Sequence, residues 1–133
     1  MIKKLKKLIP NALAPNSNFR VTSIIVDEKR NEYEGVNVEY AIPTNAICAE
    51  RNAISSALTL GMEMGTLREV HIYAESGNNF NEKLFTPPCG ACRQAIVEAS
   101  NSNCKIFLYN SLEEVKEYEI KSLIPDAFKG GSI

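Results

Sequence analysis

The segment Pro87-Pro88-Cys89-Gly90-Ala91-Cys92 constrains this chain more than any other. Two prolines interrupt whatever precedes them, and the residues from Ala91 to about Ala99 follow a helical period. Cys89 and Cys92, three apart, therefore share one face of a first helical turn. Cys48-Ala49-Glu50 opens a second helical pattern, carried to about Met62 by Ala53, Ile54, Ala57, Leu58 and Gly61. A helix N-terminus carries partial positive charge, which favours thiolate over thiol and makes these cysteines natural metal ligands. Three thiolates and one open position describe a catalytic zinc, whereas a closed structural site takes a fourth protein ligand. Two other readings stay open on the residues alone: a lone Cys-x-x-Cys also serves as a redox pair, and an isolated Cys48 is commonly a small buried hydrophobe.

Around these helices the pattern predicts strands over Val21–Val26, Tyr33–Val38, Val70–Ala74 and Lys105–Tyr109, with a short fifth near Tyr118–Ile120. Turns fall at Asn16-Ser17-Asn18 and Asp27–Asn31, and an Asn-rich loop runs from Ser76 to Glu82. Ile2, Leu5, Leu8 and Ile9 recur at helical spacing between Lys3, Lys4, Lys6 and Lys7, so a short amphipathic helix with a solvated lysine face ends near Pro10. Strands alternating with core-packing helices predict a three-layer α/β/α sandwich around a mixed, about five-stranded sheet. A chain of 133 residues fits one domain, spanning 1–133.

Composition narrows the function. With 44% hydrophobic and 23% charged residues the chain can bury a core and is not of the disordered class. Fifteen Lys and Arg against sixteen Asp and Glu leave no basic surplus for phosphate neutralisation, and no basic, aromatic-rich segment offers a single-strand platform. A small neutral ligand is expected, with no nucleic acid and no membrane as partner. The lysine-rich start lacks the apolar region of a signal peptide, and no stretch approaches a membrane span, so a cytoplasmic location is expected. In that reducing setting the cysteines are ligands or nucleophiles rather than disulfides.

Glu50 stands two residues past Cys48, and Pro88 directly precedes Cys89, which together match the zinc deaminase signature. The chain closely resembles the small homotetrameric cytidine deaminases that act on free nucleosides. The pieces that carry the resemblance are Ala14-Pro15-Asn16-Ser17-Asn18-Phe19-Arg20-Val21, Gly35-Val36-Asn37-Val38-Glu39, Cys48-Ala49-Glu50-Arg51, Pro88-Cys89-Gly90-Ala91-Cys92-Arg93-Gln94 and Leu123-Ile124-Pro125-Asp126-Ala127-Phe128. They occur in the family's order and span nearly the whole chain.

The resemblance implies a cytidine deaminase-like fold and hydrolytic deamination of cytidine and deoxycytidine to uridine and deoxyuridine, with release of ammonia, in pyrimidine salvage. It implies Zn²⁺ on Cys48, Cys89 and Cys92, with Glu50 taking the water proton, passing it to N3 and protonating the departing amino group. Arg51, three residues after Cys48 on the same helical face, is placed to offset the thiolate charge. Asn37 and Glu39, two apart on a strand, share a side, and by resemblance they bind the ribose hydroxyls. Phe19 would pack against the pyrimidine, Ala49 would also contact substrate, and Phe128 would complete the site of another subunit of a homotetramer.

Three positions depart from the family pattern: Tyr40 and Pro87 replace the usual asparagine and hydroxyl residue, and Asn16 replaces a tyrosine. Cys104 has no partner at metal spacing and reads as a buried strand residue, and His71, the sole histidine, reads as structural. Two alternatives remain at this point, a deaminase of a modified cytosine nucleoside, such as the blasticidin-S deaminases, and a non-catalytic zinc- or RNA-binding module. Glu39 after Asn37 favours an ordinary ribose, and Glu50 with the open zinc position speaks for catalysis.

Overall fold

Alternation along each strand decides which residues meet which helix. In the computed structural model, which describes residues 1–78 and 80–130, five strands form one sheet in the order β2-β1-β3-β4-β5. These are β1 (Phe19–Asp27), β2 (Glu32–Val36), β3 (Leu67–Ser76), β4 (Lys105–Tyr109) and β5 (Val115–Glu119). Only β3 and β4 run parallel. A parallel pair needs a crossover, and helix α3 (Gly90–Ser100) lies within it.

Val21 and Ile25 of β1, Val70 and Ile72 of β3, and Ile106 and Leu108 of β4 enter one core with Ala53, Ile54 and Ala57 of α2 (Ala49–Thr59) and Ile96 and Val97 of α3. The intervening residues Ile24, Tyr73 and Tyr109 pack on the opposite side with Leu5 of α1 (Ile2–Leu8) and with Ile9. The sheet thus lies between α1 and the α2/α3 pair, the three layers and mixed sheet expected. Lys4 and Lys6 on the α1 face are tied to Glu32 and Glu113 respectively.

The differences from expectation lie mostly at element ends. β1 begins at Phe19, two residues early, so this phenylalanine is part of the strand. β2 stops at Val36; Val38 continues extended, held by isolated bridges to Leu13 and Ile47. Helix α2 ends at Thr59 because Gly61 enters the left-handed region at φ +105°. The fifth strand is Val115–Glu119, and Ile120 instead opens a helical turn, α4 (Ile120–Leu123), that places its buried side chain in the main core. Ser76 closes β3 rather than opening the polar loop, of which Asn79 lies outside the described residues, as do residues 131–133.

Gly35 sets the distance between β2 and α2. A Cβ there would fall on the Ala49 carbonyl oxygen and the Ala53 amide nitrogen, with Ala53 Cα at 2.9 Å. Backbone therefore rests on backbone, and the start of α2 is pressed against the end of β2. Gly35→Ala should lower stability by about 1–3 kcal/mol, the usual cost of overpacking, seen as a Tm drop of roughly 5 °C or more, and should reduce bound zinc by shifting the α2 start. Unchanged melting and metal content would show that this contact does not set the helix.

Candidate active site

Cys48 is the residue immediately before α2, and Cys89 holds the same position before α3. Such positions usually carry Ser, Asp or Asn, whose side chains bond the first amides. Neither cysteine makes a capping hydrogen bond, so each sulfur stays available at the positive end of its helix. Their carbonyls start the helices by accepting from Asn52 N and Arg93 N, both at 2.9 Å. Cys92 lies one turn into α3, buried, on the same face as Cys89.

The three Sγ atoms lie within 4.8 Å of one another, and those of Cys48 and Cys89 are 3.7 Å apart. A tetrahedral zinc with Zn–S bonds of about 2.3 Å requires sulfurs separated by roughly 3.8 Å. The donor set therefore fits zinc in chemistry and in span. The Arg51 Nη2 donates to Cys48 Sγ at 3.6 Å, as its place one turn on predicts. Thiolate character concentrates on Cys48, whose thiol is drawn down by the hydrogen bond from Cys92 and by Arg51. The same bond and burial push the Cys92 thiol up.

Glu50 is only 4% exposed, and burial raises its carboxyl above the usual range. It lines a cavity of about 270 Å³ together with Cys48, Ala49, Arg51, Cys89, Pro87, Phe19, Asn37 and Glu39. Phe19, 38% exposed, opens onto this cavity instead of the core. Asn37 and Glu39 both line the cavity, although both stand beyond the strand, and Val38 between them lines it too. The Asn37 amide joins this loop to β1: Oδ1 accepts from Val21 N and Nδ2 donates to Phe19 O, both at 2.8 Å.

Phe128 is 73% exposed, and its carbonyl accepts from Gln94 Nε2 at 2.7 Å. It does not line this cavity. Of the three departures from the family pattern, Pro87 lines the cavity, whereas Asn16 and Tyr40 stay outside it. Cys104 is buried, its thiol pushed up to about 12 by desolvation, and it is not part of the sulfur cluster. His71 lies on the α1 side of the sheet. Its Nδ1 shares a hydrogen bond with the Tyr109 hydroxyl at 2.8 Å, its Nε2 meets Glu69 at 2.9 Å, and its ring stacks on Phe107.

Two supports carried no role in the sequence reading. Arg93 Nε donates to Pro88 O at 2.8 Å and its Nη1 to Leu123 O at 2.7 Å, fixing the approach to Cys89. Asn52 Nδ2 donates to Val36 O at 2.9 Å, tying α2 to the backbone beside Asn37. Arg93 follows Cys92 directly and Asn52 follows Arg51, positions that signal proximity but not the partner.

Residues 1–108 match the model of the cytidine and deoxycytidylate deaminase zinc-binding region. The chain is 33% identical to a cytidine deaminase of Mycoplasma genitalium, over 97% of this chain and 93% of that one. It is 30% identical to a cytidine deaminase of Sporosarcina psychrophila, over 96% of this chain and 88% of that one. Among solved structures, the cytidine deaminase of Burkholderia pseudomallei superposes with a TM-score of 0.84 at 33% identity, covering 96% of this chain and 95% of that one.

The cluster predicts a zinc stoichiometry. Elemental analysis should find close to one zinc per chain in Cys104→Ser and a large loss in Cys48→Ser, Cys89→Ser or Cys92→Ser. Metal depletion in the Cys104 variant alone would reassign the ligands.

Proposed function

The chain belongs to the cytidine and deoxycytidylate deaminase zinc-binding family, and from that premise we propose that it hydrolyses the exocyclic C–N bond of cytidine and deoxycytidine, leaving uridine or deoxyuridine and ammonia. The observation that carries this reading is the burial of Glu50 beside three converging thiols, in one cavity with Phe19, Asn37 and Glu39.

Cys48, Cys89 and Cys92 would hold Zn²⁺, which would supply a lowered pKa for water and so a hydroxide nucleophile near neutral pH. Glu50 takes one proton from the attacking water and delivers it to N3 of the pyrimidine, then takes that water's second proton and gives it to the amino group, which leaves as ammonia when the C4–N bond breaks. Its raised affinity for protons suits this work, because an ordinary carboxyl would surrender the proton to water too readily. Phe19 and Ala49 form the apolar side of the base pocket, and Asn37 and Glu39 bind the ribose hydroxyls. Arg51 balances the negative charge of the thiolates.

The remaining parts of the proposal concern setting. We read residues 1–133 as one catalytic unit working on free nucleosides in pyrimidine salvage in the cytoplasm. Among the described residues no helix is long and apolar enough to cross a membrane. Four copies assemble, and the Phe128 ring, largely exposed in its own chain, closes the site of a neighbour.

Two experiments test these statements. Metal-replete protein should abolish the cytidine absorbance band, and Glu50→Gln should keep zinc and fold while losing about 10²- to 10⁴-fold in kcat. Near-normal turnover by a zinc-loaded Glu50→Gln protein would sink the mechanism. For the assembly, mixing inactive Glu50→Gln chains with inactive Phe128→Ala chains should restore partial activity, since some sites then combine an intact Glu50 with a neighbour's Phe128. A fully active monomer, or no recovery in verified mixed tetramers, would exclude the shared site.

A further inference from the structure

Among the described residues the Glu39 side chain receives hydrogen bonds from one turn alone. Its Oε1 accepts from the backbone amides of Asn16 at 2.9 Å and Ser17 at 3.2 Å, and its Oε2 accepts from the Ser17 hydroxyl at 2.5 Å. A carboxylate oxygen has two acceptor positions. Oε1 is therefore filled, and the one free position lies on Oε2, beside Ser17. The Ser17 oxygen in turn accepts from Phe19 N at 3.1 Å, which leaves its proton directed to Glu39. One hydroxyl thus links the backbone of the base-side aromatic to the carboxylate on the sugar side.

The turn itself is firmly placed. Asn18 N donates to Ala14 O at 3.0 Å, Asn18 adopts the left-handed region at φ +54°, and Gly77 N donates to Asn18 O at 3.0 Å. A side chain at position 77 would strike that of Asn18, so the end of β3 packs against the turn. Leu13 and Glu39 are bonded directly, Glu39 N donating to Leu13 O at 2.8 Å.

We propose that Ser17 is a positioning residue that sets the enzyme's demand for sugar hydroxyls, by holding the Glu39 carboxylate so that a single acceptor position faces the ligand. This rests on the reading of Glu39 as a ribose contact. Without the Ser17 hydroxyl the carboxylate keeps its two amide bonds but loses the bond that fixes Oε2. A charge-assisted hydrogen bond of this kind is roughly twice as strong as a neutral one, so the loss is measurable in turnover.

The test compares cytidine with 2′,3′-dideoxycytidine, with zinc content and melting temperature recorded for every variant. Ser17→Ala should reduce kcat/KM for cytidine on the order of tenfold and change that for the dideoxy substrate by less than about twofold, with Ser17→Thr restoring most of the loss. In a Glu39→Ala background, Ser17→Ala should cost nothing further, because it acts through that carboxylate. Equal losses on both substrates, or the same loss with and without Glu39, would overturn the proposal by assigning Ser17 to the base wall or to folding. If Glu39→Ala leaves cytidine turnover intact, the ribose reading of Glu39 fails first and takes the proposal with it. A zinc-replete parent protein inert toward cytidine would overturn both together with the proposed reaction.

Discussion

The site depends on two helix N-termini meeting beside the same end of the sheet. Three sulfurs and a buried carboxyl gather there, and such groups, once charged, repel one another and resist leaving water. The helices make the gathering tolerable because each presents its positive end, and α2 adds the Arg51 guanidinium against Cys48. Neither helix can be moved independently. The start of α2 is pinned by the backbone contact at Gly35 and by Asn52 on Val36 O, and that of α3 by Arg93 on Pro88 O. The core packing of Ala53, Ile54, Ala57, Ile96 and Val97 therefore acts on the chemistry, since it fixes where the first turns point.

Zinc with three thiolates keeps a single formal negative charge, which would blunt its pull on electrons. Arg51 answers this locally, and its limit is instructive. The guanidinium reaches Cys48 through Nη2, while its Nε is buried without a partner among the described residues. An unmet buried donor is costly. Orienting a cation against a thiolate is a reason to hold the side chain in that position despite the cost, and a lysine could not reproduce the planar fork.

Much of this was legible in the sequence because the signals are local. Period-2 and period-3.6 patterns located four of the five strands and the three longer helices and caught only the end of the fifth strand, and the Cys-Ala-Glu-Arg and Pro-Cys-Gly-Ala-Cys blocks marked the sulfur cluster. What escaped was long-range or terminal. Ile120 looked like the end of a strand because its apolar character does not distinguish strand from helix, and only packing against the main core makes it open α4. The region after Val36 looked like uninterrupted strand, yet its main-chain partners come from Leu13 and Ile47, segments outside the sheet that no periodicity reports. Hydrogen-bond partners of Arg93 and Asn52 are distant backbone atoms, and a backbone carbonyl leaves no trace in residue identity.

The two halves of the cavity are built by different means, and this bears on how the site could change. The metal side stands on helix starts whose displacement would disturb the main core, so altering it threatens the fold. The side proposed to meet the sugar stands on a turn and an extended segment that clasp each other through Glu39, Asn37 and backbone bonds to Leu13. The departures at Asn16 and Tyr40 both fall beside this clasp, outside the cavity lining, whereas Pro87 lines the cavity, lacking a side-chain hydroxyl but keeping its backbone carbonyl. Hydrogen bonds, and not core packing, hold the clasped side, which is where recognition can shift at least cost to stability.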